Sequence, residues 1–242
     1  MTVSARLSCH YDTKYNASDH TAVHAVSLVK RPADRLQAAV WLASQGSGAS
    51  YLEIGAGDGS TLLALQNKYS RLAGTELSAV RARELRRLFQ GNPKLEILQN
   101  NIEEDGLPFG DQEFDTIAMI AVIEHLFDPI GALRECYRVL KPGGRLIVDT
   151  PNIAKWTRRI KLFFGYFPST ASLREGLLCY DRRTPTDLHD EGHLHYFTHR
   201  SLTRLAEERA GFKRTQVFGY GPTALSRLWP QMFSEISLVL CK

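Results

Sequence analysis

One turn constrains this chain more than any other feature: YLEIGAGDGS, residues 51–60. A short apolar run, Tyr51–Ile54, leads into three glycines at alternate positions, Gly55, Gly57 and Gly59. A helical run, Thr61–Asn67, follows at once. Glycines so spaced let the backbone take positive φ and let a ligand approach where a Cβ would collide. The turn also opens a helix, whose unpaired N–H groups face whatever occupies the loop. At the carboxyl end of a first parallel strand, such a loop is where open α/β sheets bind nucleotides. Glycines make ordinary tight turns as well, so the spacing carries only part of the argument.

The second strand, Arg71–Glu76, ends in a carboxylate. An acid at that tip is placed to accept the ribose hydroxyls of an adenosine and favours a ribose without a 2′-phosphate. The dinucleotide fingerprint of dehydrogenases needs its third glycine at position 60, which is Ser60. That pattern therefore matches poorly.

Elsewhere strand and helix patterns alternate, which argues a parallel sheet with helices on both faces. A helix is expected over Ala33–Gln45, with Pro32 at its start and Gly46 at its end. Ala79–Phe89 is an amphipathic helix whose Arg81, Arg83, Arg86 and Arg87 read as a solvated face. Leu95–Leu98 is a third strand, and Phe114–Val122 a fourth, apolar enough to be covered on both sides. Asp128 caps a helix with Pro129 at its first position, running to Leu140 and stopped by Lys141-Pro142-Gly143-Gly144. Arg145–Asp149 is the fifth strand. A capped helix, Thr198–Ala210, and two strand-like runs, Arg214–Phe218 and Ile236–Leu240, finish the chain.

With 242 residues and 43% hydrophobic residues, the chain reads as a single domain, 1–242, able to bury a sizeable core. A formal charge of +4 is too mild to imply nucleic acid as a partner. The four cysteines, Cys9, Cys136, Cys179 and Cys241, form no C-x-x-C, as expected for reduced thiols in a cytoplasmic protein. Neither a membrane span nor a secretion signal is expected. Residues 1–30 form an N-terminal arm. Its polar first part, with Tyr11 and Tyr15 one helical turn apart, reads equally as a loose arm or as a lid over the ligand.

Glu53 to Gly59, an acidic residue, one residue and then Gly-x-Gly-x-Gly, resembles the first motif of the class I S-adenosylmethionine-dependent methyltransferases. Residues 107–152, LPFGDQEFDTIAMIAVIEHLFDPIGALRECYRVLKPGGRLIVDTPN, resemble the central block of the family's small-molecule members. PNIAKWTRRIKLFFGYFP and HLHYFTHRSL are similar to segments of MetW-like proteins and of ubiquinone-type O-methyltransferases. The resemblance implies a Rossmann-like α/β fold, with a seven-stranded sheet in the order 3-2-1-4-5-7-6 and only strand 7 antiparallel. It implies S-adenosylmethionine as cofactor, an acidic or aromatic small molecule as acceptor, and a monomer or homodimer.

It also implies residue roles. Glu53, Gly55 and Gly57 frame the amino-acid part of the cofactor, together with Ala56 and Asp58 of the same loop. Glu76, with Leu77 beside it, holds the ribose. Where the family usually places an aspartate on the adenine amine, this chain has Asn101, whose amide oxygen can still accept, with Ile102 packing on the ring. A shifted alignment would give that contact to one of Glu103–Asp105. Ala121, after the fourth strand, reaches the methionine moiety.

His125, in IEHL, lies where related enzymes meet the acceptor, and its ordinary pKa suits a general base for a hydroxyl. Its plainer role is to cap the strand end or bond Glu124. The loop lacks the [Asp/Asn]-Pro-Pro-aromatic signature of enzymes that methylate exocyclic amines of nucleobases. In DLHDEGHLHYFTH, His189, His193, His195 and His199 crowd together. No metal is expected; His193 or His195 is read as lining the acceptor pocket or serving as an alternative base. Trp156, Ile160 and Phe163 form one helix face, and Lys155, Arg158 and Arg159 lie on the other, either solvated or clamping an acidic or lipid-like acceptor. The whole segment 151–197 is read as an acceptor lid, being far longer than the roughly 2–6 residues usual for such a connection. Its aromatics, among them Phe164, Tyr166, Phe167, Tyr180 and Tyr196, are expected to exclude water. Together these readings describe metal-independent transfer of a methyl group to an oxygen, a hydroxyl or carboxylate, with His125 as base. The alternative is a methyltransferase-fold binding partner of another enzyme with little or no transfer activity of its own.

Overall fold

The structure is a computed structural model that describes residues 12, 23, 25–168, 170 and 193–242. Tyr11, Tyr15, Cys9, Cys179, Tyr180 and His189 lie outside these residues. In chain order the elements are α1 (Arg35–Ser44), β1 (Ser50–Ile54), α2 (Ser60–Leu65), β2 (Arg71–Glu76), α3 (Ala79–Leu88), β3 (Leu95–Gln99), α4 (Ile102–Asp105) and β4 (Phe114–Ile120). A 3₁₀ turn (Ile123–His125), α5 (Pro129–Val139), β5 (Leu140–Thr150) and α6 (Trp156–Phe163) follow. The chain ends with α7 (His199–Ala210), β6 (Lys213–Val217), α8 (Ala224–Leu228), α9 (Pro230–Phe233) and β7 (Ile236–Cys241).

The strands form a seven-stranded sheet in the order β3-β2-β1-β4-β5-β7-β6. β1, β2, β3, β4 and β5 run parallel, and β7 is antiparallel to both neighbours. This is the expected topology. Alternate side chains feed two cores, one on each face. Tyr51, Leu72, Ala118, Ile120 and Ile147 pack with Leu42 of α1, Leu62 of α2 and Leu85 of α3. Leu52, Ile117, Met119, Leu146 and Leu238 face the other way, onto Leu133 and Cys136 of α5 and Leu202 and Ala206 of α7. With both faces covered, β1 is buried along its whole length, Ser50 and Glu53 included. The outer strand β6 is mostly exposed and carries Lys213 and Arg214, charges that discourage edge-to-edge pairing.

Three boundaries differ from expectation, each for a local reason. Helix α1 starts at Arg35 rather than beside Pro32, because Asp34 caps it by accepting the Gln37 N–H at 2.9 Å. The Lys141-Pro142-Gly143-Gly144 run does not separate helix from strand. β5 already begins at Leu140 and absorbs the run through a register shift against β4, with Gly143 at φ +74. β4 stops at Ile120, before Val122, because Ala121 turns to φ +54. The short helices α4, α8 and α9 have no periodicity long enough to read from sequence.

The parallel pairing brings the carboxyl ends of β1, β2, β4 and β5 to one edge, with a switch of direction between β1 and β4. Segment 151–197 leaves and rejoins at that edge. Asn152 bridges Phe197, and the Ile153 N–H donates to the Phe197 carbonyl at 3.0 Å. Among the described residues, no helix is long and apolar enough to cross a membrane.

Candidate active site

The glycine loop is folded around two carboxylates. Glu76 Oε2 accepts the Gly57 N–H at 3.0 Å, and Oε1 accepts the Ser78 N–H at 3.0 Å. Each carboxylate oxygen retains acceptor capacity. Burial raises the Glu76 pKa, while its bonds to Ser78 and Gly57 oppose the shift. Gly55 and Gly57 have different tasks. A Cβ on Gly55 would stand 2.5 Å from Val122 Cγ2, so this glycine lets the loop pack on the turn after β4. A Cβ on Gly57 would meet nothing closer than 3.9 Å, so here the positive φ of +58 and the open space are what the loop uses. Asp58 faces its own helix: its oxygens accept the Ser60 N–H at 3.0 Å and the Ser60 hydroxyl at 2.8 Å. Ala56 is buried against the core on the α2 side, and Leu77 lies half-buried beside Glu76.

Glu53 is buried at the end of β1, and its Oε2 has no hydrogen-bond partner. Burial pushes its carboxyl up to about 8; a Thr61 hydroxyl opposes this, and Asp58 and Glu76 add to it. A buried acid with one oxygen unpartnered beside a glycine loop calls for a cation. S-adenosylmethionine carries two, its ammonium and its sulfonium, so the residues fit the cofactor that the resemblance implies. Asn101 is the N-cap of α4, its amide oxygen accepting the Glu103 N–H at 3.1 Å, and Ile102 turns into the core of the α5 face. Asp12 of the N-terminal arm reaches the same mouth, accepting the Ser78 hydroxyl at 2.6 Å and the Val80 N–H at 3.3 Å.

Beyond β4, Ala121 donates its N–H to the Asp149 carbonyl at 2.8 Å and holds a left-handed φ, a conformation that costs about 1–3 kcal/mol for a non-glycine residue. It throws the chain into the 3₁₀ turn that presents Glu124 and His125. The Glu124 carbonyl then accepts the N–H groups of Leu194 and His195, at 2.8 and 3.1 Å. This ties the far end of the long segment to the turn. As a result His193 stands edge-on to His125, ring centroids 4.7 Å apart. His193 Nδ1 lies 2.7 Å from Thr170 Oγ1. Of the crowded histidines, the structure brings only His193 to His125 among the described residues. His195 instead lies near Phe197, at 6.0 Å between ring centroids. His199 is buried at the start of α7, and burial lowers it to about 4.

A buried polar cluster beneath this turn was not anticipated. Glu124 is 1% exposed. Its Oε2 accepts the Thr150 hydroxyl at 2.8 Å, and Oε1 has no partner. Asp149 Oδ1 accepts Arg35 Nε at 2.9 Å and the Tyr220 hydroxyl at 3.2 Å, while Oδ2 has none. Burial raises Glu124 and pushes Asp149 up to about 7, against the pull of Arg35. Asp149 sits in an otherwise apolar strand, RLIVDT, and that break in pattern was the available signal.

The basic face of α6 is neither solvated nor a free clamp at two of its positions. Lys155 Nζ and Arg158 Nη1 pair with Glu235 at 2.9 and 2.7 Å. Burial pushes the Glu235 carboxyl up, but the two cations outweigh it and hold it at about 2. The aromatics of that helix do not close over the edge. α6 buries no residue, and Phe163 is 83% exposed. Among the described residues, Trp156 on its apolar side approaches Phe233 to 6.4 Å between ring centroids.

Residues 52–148 match the family described as "Methyltransferase domain". The chain is 33% identical over 111 residues to a probable S-adenosylmethionine-dependent methyltransferase of Mycolicibacterium smegmatis, covering 46% of this chain and 41% of that one. It is 40% identical over 75 residues to the demethylmenaquinone methyltransferase of Listeria welshimeri, covering 30% and 31%. The chain thus spans less than half the length of these relatives. Among solved structures, an S-adenosylmethionine-dependent methyltransferase from Mesorhizobium loti superposes with a TM-score of 0.60 at 15% identity, over 86% of this chain and 100% of that one. At that identity the likeness speaks to the fold.

Proposed function

From the premise that this chain carries a class I S-adenosylmethionine-dependent methyltransferase domain, we propose that it transfers the methyl group to an oxygen, a hydroxyl or carboxylate, of a small acidic or aromatic molecule. The observation that carries this reading is the His125–His193 pair, seated on the turn after β4 at the edge where the glycine loop opens. The displacement needs a held sulfonium, an aligned acceptor and a place for the acceptor's proton.

The chain's own residues divide these tasks. Glu53 meets the cofactor's ammonium, Glu76 its ribose hydroxyls, and Ala121 lies along its methionine part. Asn101 offers the adenine amine its amide oxygen, which also accepts in the cap of α4. In the ion-free site His125 takes the proton of a hydroxyl acceptor, and His193 orients the acceptor beside it. The described ends of the long segment, 151–168 and 193–197, flank the acceptor, and Asp12 stands at the mouth of the cofactor loop. In the displacement the acceptor oxygen forms a bond to the methyl carbon as the carbon–sulfur bond breaks. The sulfonium charge disappears and S-adenosylhomocysteine leaves.

Screening hydroxylated and carboxylated small molecules for release of S-adenosylhomocysteine tests the reading, with the product's O-methyl bond identified by mass spectrometry. Cofactor binding without transfer to any acceptor, together with co-purification with a second enzyme, would favour the binding-partner alternative.

A further inference from the structure

We infer that Glu124, His125 and His193 form a binding site for one divalent cation, on which the acceptor oxygen is coordinated. The inference rests on the oxygen-acceptor reading above and concerns the same site in its ion-loaded state. The potential ligand atoms of the three residues all lie within 4.8 Å of one another. Ligands about 2.1 Å from a tetrahedral ion stand about 3.4 Å apart, so closing the separations by up to roughly 1.4 Å brings all three onto one ion.

The donor set has the right chemistry. Two imidazoles and one carboxylate, with remaining positions open, suit zinc, manganese or iron(II) rather than a closed structural site. Outer partners that orient metal ligands are also in place. Thr170 Oγ1 engages His193 Nδ1, which fixes the ring's orientation, and the Thr150 hydroxyl holds Glu124 Oε2. Glu124 Oε1 is a buried carboxylate oxygen with no hydrogen-bond partner, and such a group needs an explanation. Arg35 favours the charged form of Glu124 across space but makes no hydrogen bond to this oxygen. The scaffold is firm: the two N–H bonds from Leu194 and His195 to the Glu124 carbonyl fix the turn and the His193 segment to each other.

Sequence alone could not bring these residues together. His193 lies far along the chain from the Glu124–His125 pair, and its neighbours His189, His195 and His199 look equally eligible. With the ion bound, the two histidines act as ligands. The hydroxyl of the acceptor coordinates, its pKa falls, and its proton passes to water. The resulting oxygen lone pair forms the bond to the methyl carbon as the carbon–sulfur pair returns to sulfur. Acceptor and sulfonium become methyl ether, thioether and one released proton.

The test is calorimetric titration of chelator-stripped full-length protein with Zn2+ and Mn2+, read alongside S-adenosylmethionine affinity. The expected result is one ion per chain, with affinity weakened at least tenfold in Glu124→Gln and in His193→Ala, and unchanged in His195→Ala. Cofactor affinity should stay within about threefold in all three, which also reports that each variant is folded. Absence of ion binding to the wild-type chain, or equal binding by the Glu124→Gln and His193→Ala variants, would overturn the inference. So would undiminished transfer to an oxygen acceptor by ion-free protein, which would leave the oxygen-acceptor reading and the base role of His125 intact.

Discussion

The Gly57 N–H and the Glu76 carboxylate are joined at 3.0 Å, so the loop of the first strand and the tip of the second are one unit before any ligand arrives. On the proposed reading the cofactor meets a surface already organised, and the acid that holds the loop is also the one that would receive the ribose. Glu76→Ala should therefore weaken S-adenosylmethionine by about 1.5–3 kcal/mol, the scale of a charge-assisted hydrogen bond. Calorimetry measures it, and Glu76→Gln should recover only part of the loss. An unchanged affinity would move the ribose contact elsewhere.

Cofactor binding should release a proton. Glu53 titrates at about 8 in the free protein because it is buried without a cation. Pairing with the cofactor's ammonium favours the carboxylate, so near pH 7 up to about one proton per chain should leave on binding. Calorimetry in two buffers of different ionisation enthalpy reads this directly. Identical apparent enthalpies in both would place the ammonium away from Glu53.

Gly55→Ala should destabilise the fold far more than Gly91→Ala. Both glycines have positive φ, at +71 and +85. Only at Gly55 does the new methyl collide, 2.5 Å from Val122, whereas nothing lies within 4 Å at Gly91. The Gly91 change should cost about 1 kcal/mol. The Gly55 change should cost about 1–3 kcal/mol more through overpacking. Denaturant midpoints compare them.

Acid should destabilise the protein partly through His199. Its folded pKa of about 4 lies below the ordinary 6.5, so the folded state keeps it neutral while the unfolded chain takes up a proton. Its contribution is complete above pH 6.5 and is lost as the pH falls through 4, by up to about 3 kcal/mol. His199→Leu should flatten the pH dependence of stability in that window. A slope identical to the wild type would mean that the ring is already charged or solvated in the folded state.

The sheet was legible because its signals are local and periodic: an apolar strand, a glycine turn and a capped helix, repeated. The strand boundaries that failed were decided by a single dihedral at Ala121 and by a register shift at Lys141–Gly144, which carry no periodic signature. The glycine loop and its carboxylates were legible in the same way, because Glu53, the glycines and Glu76 sit at fixed offsets within βα units. The buried polar cluster beneath the turn after β4 was not. Arg35, Asp149 and Tyr220 come from α1, β5 and the loop after β6, and only the tertiary fold assembles them. Likewise Lys155 and Arg158 looked free because Glu235 lies so far along the chain.

The most direct test of the central claim is S-adenosylhomocysteine release by wild-type protein and by His125→Ala, using an acceptor found by screening. The account predicts an O-methylated product from the wild type. It predicts a rate at least about 100-fold lower in the variant, the lower end of what a positioned proton acceptor contributes, with S-adenosylmethionine affinity within about threefold. Methylation at nitrogen or carbon, or an undiminished rate in His125→Ala, would contradict it.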